Sequence, residues 1–218
     1  MFSLGRKKKK MNTKPDVIQK CLWPACLVGL FIPGALSLHC NLLHLHLREV
    51  TWQNLRLLNS MSNSFPVECL RETRAFELPQ DIQSHTPPGK RYLKEAFYEM
   101  STQAFNIFRE STTKSTWKKK NLKQIQIRLD WQMHHLEKCF EEEEKGKEDS
   151  KRMEEDGMDF SGAMVSQVSS LELRRYFYRM YNFLKDKKYS PCAWEIIRVE
   201  LRRCFYYFYK LTLLLRKK

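Results

Sequence analysis

The sequence predicts an all-α fold. Apolar residues recur at three-and-four spacing in five separate stretches, and no stretch alternates at period two for long enough to make a sheet. Pro66, Pro79, Pro87 and Pro88 cluster in one connection between periodic stretches, where they end helices and set turns. At 218 residues, with five Trp, nine Tyr and thirteen Phe, the chain can bury a single core.

Residues 1–37 are expected to be a signal peptide. Arg6 to Lys10 and Lys14 form a basic start, Cys21 to Leu36 is an apolar run interrupted by Pro24 and Pro33, and Ala35-Leu36-Ser37 supplies small residues for cleavage. The run is shorter than the roughly 20 apolar residues that a membrane-spanning helix needs and two prolines interrupt it, which favours a cleaved signal over the alternative of an uncleaved anchor. Its removal changes the meaning of the net charge of +14, because 32 basic against 24 acidic residues remain, a net +8. The mature domain, 38–218, is expected to be secreted and extracellular, without stable membrane insertion.

The first helix is expected over about Asn41–Asn59, with Leu43, Leu47, Val50, Asn54 and Leu57 on one stripe. Ser60 to Gly89 is a long connection. The second helix, about Lys90–Arg109, aligns Leu93, Phe97, Met100, Ala104 and Ile107. After the short link Glu110–Thr116 the third, about Trp117–Phe140, aligns Leu122, Ile125, Leu129, Met133 and Leu136, and the two should be antiparallel neighbours. Residues 141–168 hold ten acidic residues against four basic and three glycines, the composition of a flexible acidic loop. A fourth helix follows over about Leu171–Lys187, burying Leu173, Phe177, Met180 and Leu184. Tyr189-Ser190-Pro191 breaks the chain, and Pro191 suits the first turn of a fifth helix, about Pro191–Leu215. Long first and third connections with short second and fourth ones imply an up-up-down-down cytokine bundle of five helices.

Five cysteines remain in the mature chain: Cys40, Cys69, Cys139, Cys192 and Cys204. An odd number in an oxidising compartment leaves at least one unpaired or intermolecular thiol, and about fifteen two-bridge arrangements are possible. Cys204 falls on the apolar stripe of the last helix, where a thiol behaves as a small buried hydrophobe.

Several segments resemble the type I interferons: Cys40-Asn41-Leu42-Leu43, Met61 to Pro66 with Cys69-Leu70, Phe97-Tyr98-Glu99-Met100, Ser170 to Phe177, and Tyr189-Ser190-Pro191-Cys192-Ala193-Trp194-Glu195. The resemblance covers essentially the whole chain. It implies bridges Cys40 to Cys139 and Cys69 to Cys192 with Cys204 free. It also implies a cytokine that joins the two chains of the type I interferon receptor and so starts JAK-STAT signalling and an antiviral programme. Leu70, Arg198, Val199, Arg202, Arg203 and Tyr207 match the family's contacts to the high-affinity receptor chain, and Arg174 matches a contact to the second chain. Thr73 departs from the family's arginine, and Gln126 and Asp130 stand where the family has aromatic contacts. Arg198, Arg202 and Arg203 are expected to point roughly together, away from the Ile197, Leu201, Phe208 stripe.

No Gly-rich phosphate loop, G-x-S-x-G or H-E-x-x-H occurs, so no enzyme chemistry is expected. His135 and Cys139 are four apart and could share a metal, but a disulfide is the better use of Cys139, so neither a metal nor another cofactor is expected. The rival reading rests on Leu171 to Lys218, with 13 basic and 4 acidic residues around Phe205 to Tyr209. Such a helix suits heparan sulfate, another glycosaminoglycan or a membrane surface, and a secreted chain has little use for nucleic acid. The protein is expected to act as a monomer.

Overall fold

The computed structural model describes residues 40–61, 65–84, 89–151 and 160–215; the expected signal peptide, 1–37, lies outside the described residues. Five helices of 18 residues or more account for most of the rest: α1 Leu43–Ser60, α2 Lys90–Lys114, α3 Lys119–Lys151, α4 Phe160–Asp186 and α5 Pro191–Leu215. Among the described residues there is no strand.

The helices bury most of the stripes that their sequences space out, with Leu57 and Met133 left half-buried and Leu58 turned in beside Leu55. α1 turns Leu43, Leu47, Val50, Leu55 and Leu58 inward, and α5 does the same with Trp194, Ile197, Leu201, Cys204, Phe208 and Leu211. The start of α5 is set by Pro191, whose missing N–H is no loss in a first turn, and by Ser190, whose Oγ accepts from the Ala193 amide at 3.2 Å. α2 runs five residues beyond Arg109, and in that extra turn Ser111 is buried with its hydroxyl donating to the Phe108 carbonyl. Its last turn is closed by the Ser115 amide, which donates to Ser111 O.

The acidic stretch 141–168 is largely helix, not loop. α3 continues through Glu141 to Lys151 and α4 begins at Phe160, leaving 152–159 outside the described residues. Glutamate and lysine are strong helix formers, and extending an existing helix needs no new nucleus. Glu143 also reaches across to an ion pair with Lys94 of α2. Charge excess and glycine content, on which the expected loop rests, take no account of this propensity.

Side-chain pairs give the directions. Tyr98 donates to Glu137, Gln132 to Ser101 and Gln126 to Thr112, so α3 runs antiparallel to α2. Asn121 donates to Ser60 while His46 meets Trp131, which makes α3 antiparallel to α1 as well. Arg48 donates to Tyr209 and Arg198 to the Leu58 carbonyl, so α5 also opposes α1. Glu99 pairs with Arg174, and farther along α2 Glu110 shares a groove with Tyr181, so α4 runs parallel to α2. α1 and α2 therefore point one way and α3 and α5 the other, the up-up-down-down order, with α4 inserted as the return leg between the two descending helices.

The first connection is not free chain. The disulfide Cys69–Cys192 pins a 3-10 helix, Val67–Glu72, to the start of α5. Beyond it Phe76 and Leu78 are buried, and Arg179 of α4 donates to the carbonyls of Phe76 and Glu77 at 3.0 and 2.9 Å. A one-turn helix, Gln80–Gln83, then buries Ile82. Cys40 and Cys139 are each disulfide-bonded, and Cys204 is free and fully buried. Burial pushes the Cys204 thiol well up, so it stays protonated and inert.

Candidate receptor-binding faces

α5 presents one solvent-facing arc. Val199, Arg202, Tyr206 and Leu213 are exposed along it, at the three-and-four spacing that keeps side chains on one face. The Cys69–Cys192 bridge sets Leu70, 55% exposed, and Val67, 75% exposed, beside the N-terminal half of this arc. Leu70 is not packed into the core, and an apolar side chain left open on a pinned 3-10 turn is an anchor available to a partner.

The three arginines do not point together. Arg198 is only 5% exposed; its Nε bonds Glu195 at 3.0 Å and its Nη1 donates to the Leu58 carbonyl at 3.1 Å. It ties the start of α5 to the end of α1 and is not a surface contact. The sequence carried a signal for this, since Arg198 is rotated only about 40° from Trp194 and 60° from Leu201 on a helix, at the edge of the buried stripe. Arg202 is exposed. Arg203 lies about 100° round from it. There it bonds Glu200 at 3.3 Å and Gln83 at 3.4 Å, and it leans over the Tyr207 ring, 6.0 Å from its centroid. Arg202 thus lies on the arc and Arg203 at its edge, with Tyr207 half-buried beside Arg203.

Glu200 was missed by sequence reasoning, and it is central to this side of α5. Though only 8% exposed, it accepts from the buried Tyr176 hydroxyl at 2.8 Å as well as from Arg203. Burial, with Cys204 and Glu200 nearby, holds the Tyr176 hydroxyl well above its ordinary value, so it remains a donor.

A second feature lies between α2 and α4, a groove of about 530 Å³ lined by Gln103, Ile107, Glu110, Arg174, Tyr178 and Tyr181. Arg174 stands on its rim, its side chain 62% exposed, with its Nε bonding Glu99 at 2.8 Å. That bond and the Glu99 charge hold the guanidinium above its ordinary value, so it is a permanent cation. Glu99, almost buried, also accepts from Gln103. Gln126 and Asp130 lie on α3, away from this groove.

A helical bundle whose outward features are an anchored apolar turn, an arginine-flanked helix face and a groove between two parallel helices is a helical cytokine, a protein that works by presenting helix faces to receptors. Residues 43–215 match the family model of the interferon alpha/beta domain, and the chain belongs to the type I interferon family. It is 65% identical to human interferon kappa over 95% of this chain and all of that one. To mouse interferon kappa it is 34% identical over 90% of this chain and 92% of the relative, and to human interferon beta 33% over 90% and 98%. Zebrafish interferon 2 shares the fold at a TM-score of 0.57, with 21% identity, covering 78% of this chain and 97% of that chain. The chain is therefore a type I interferon cytokine, acting through the type I interferon receptor and JAK-STAT signalling, and not an enzyme. Among the described residues no helix is long and apolar enough to cross a membrane.

Proposed function

We propose that the two faces take different receptor chains. The α5 arc with Leu70, Val199, Arg202, Arg203 and Tyr207 receives the high-affinity chain, and the α2–α4 groove around Arg174 receives the second. The observation that carries this reading is the separation of the two cation-bearing surfaces, one on α5 and the other between α2 and α4, each open to solvent. Arginine beside tyrosine offers planar donors for carboxylates and a flat apolar contact, the chemistry enriched in binding hot spots. Arg198 is withdrawn from the contact set because its guanidinium is used internally. The same reading has residues 1–37 directing secretion and the mature chain acting as a monomer. Sequential injection of the two receptor ectodomains over immobilised protein tests it. Independent faces let the second ectodomain bind a surface already saturated with the first, and mutual blocking would defeat the proposal.

A glycosaminoglycan contact is a compatible second reading. Of the α4–α5 cations that suggest it, Arg174, Arg179, Arg198 and Arg203 are engaged within the protein, while Arg175, Lys185, Lys188 and Arg202 are exposed. Lys118, Lys119, Lys120 and Lys123, around the start of α3, are exposed as well and add a second cluster that could meet sulfates. Salt-dependent retention on a heparin column, weakened when these four lysines become Gln, checks it.

A further inference from the structure

Arg202 and Arg203 differ in how much freedom a partner must remove. Arg202 is exposed on the arc, whereas Arg203 is fixed from three directions: Glu200 on its own helix, Gln83 on the one-turn helix, and the Tyr207 ring. Each of these supports is itself fixed. Glu200 accepts from Tyr176 of α4 on the same oxygen that receives Arg203. Gln83 donates its amide to the Leu78 carbonyl at 2.6 Å, leaving its oxygen turned to the guanidinium. A long cationic side chain loses much rotamer freedom when a partner immobilises it, and prior immobilisation removes that cost from binding.

We infer that Glu200 is a positioning residue for receptor engagement: held by Tyr176, it presets Arg203 in the orientation in which the high-affinity receptor chain meets it. Tyr176 and Arg203 approach one carboxylate from two helices, so the α4–α5 seam sets the aim of a surface cation. The inference rests on the assignment of Arg203 to the high-affinity chain. Glu200 itself, almost buried, touches no partner; it acts through Arg203.

A double-mutant cycle in the full mature chain tests this, with the affinity for each isolated receptor ectodomain measured for Glu200→Gln, Arg203→Ala and the pair. Glu200→Gln keeps the side-chain volume and an acceptor oxygen for Tyr176 while removing the charge that holds Arg203. It is expected to weaken the high-affinity chain by about three- to tenfold, the size of one side chain's ordering cost. In the Arg203→Ala background the same change should have almost no further effect, and the second chain's affinity should not move in either. Equal losses from Glu200→Gln with and without Arg203, or equal losses on both receptor chains, would make Glu200 a merely structural residue and overturn the inference. If Arg203→Ala alone leaves the high-affinity chain unaffected, the assignment of Arg203 fails first and the inference with it. Should Glu200→Gln fold poorly, Gln83→Ala loosens Arg203 from the opposite side without entering the core. It should give a smaller loss, again only when Arg203 is present, and a loss independent of Arg203 would count against the inference.

Discussion

Arg203 on α5 and Arg174 on α4 are each held by an almost buried glutamate, but the glutamates sit in different places. Glu200 precedes Arg203 by three residues on the same helix, so that pair survives small shifts between helices. Glu99 lies on α2 and reaches Arg174 across the α2–α4 seam, so that pair exists only while the two helices keep their register. The α5 face is further tied down by the Cys69–Cys192 bridge, while the groove is held by packing and by the Glu99–Arg174 ion pair across it. A face built within one cross-linked helix suits a receptor chain that must be held tightly, and a face shared between two helices suits a weaker, more adaptable contact.

The comparison can be broken most forcefully at the bridge. Replacing both Cys69 and Cys192 by Ser opens a link across 123 residues of sequence. It should cost about 2 to 5 kcal/mol of stability by denaturant unfolding. At temperatures where this variant is still folded, affinity at the α5 face should fall more than affinity at the groove, because Leu70 loses its mooring. Next in size is Arg198→Ala, expected to cost about 3 kcal/mol because the Leu58 carbonyl loses its donor and the half-buried Glu195 loses its counter-charge. Its melting temperature should drop. Arg202→Ala sharpens the contrast: the expected loss is about 1 to 2 kcal/mol of affinity for the high-affinity chain, with stability unchanged within about 0.5 kcal/mol. Calorimetry of the two variants beside their binding curves separates an internal arginine from an external one.

That distinction shows where the sequence was legible. The bounds of α5 could be read from Pro191 and the six-residue apolar stripe, and the observed helix has the same ends, Pro191–Leu215. The parallel course of α1 and α2 is legible in the long first connection, but the long third connection expected over 141–168 is helix at both ends, and α4 runs antiparallel to α3. What periodicity could not show was the use of the charged residues at the edges of stripes. Arg198 and Glu200 both border the buried arc, and whether such a residue turns outward or inward depends on a neighbour on another helix, Leu58 for one and Tyr176 for the other. Nothing in the spacing of α2 singles out Glu99, whose tie to Arg174 depends on the parallel α2–α4 packing. The acidic stretch differs for the opposite reason: its acidic excess and three glycines suggest a loop, but Glu and Lys are good helix formers and residues 141–151 simply continue α3, while 160–168 extend α4 at its N-terminal end.

The smallest effect lies outside both faces, on α3. The exposed His134 ring nitrogen is 3.0 Å from the Asp130 carbonyl and 3.8 Å from its carboxylate, and these contacts hold the imidazole above its ordinary value of 6.5. A folded value raised above the unfolded one stabilises fully below the unfolded value, and the contribution is lost as pH rises through the folded one. NMR titration should therefore place the His134 midpoint above that of a free histidine. His134→Gln should remove this slight pH dependence of stability while leaving binding at both faces intact.

The central claim is that two separate faces meet two receptor chains, and surface plasmon resonance against each ectodomain tests it most directly. Arg202→Ala with Arg203→Ala should weaken the high-affinity chain at least tenfold, by about 1.4 kcal/mol or more, and leave the second chain's affinity nearly unchanged. Arg174→Ala should do the reverse, and both variants should lower reporter induction because signalling needs both chains at once. Equal losses on both chains from either variant, at unchanged melting temperature, would contradict the account.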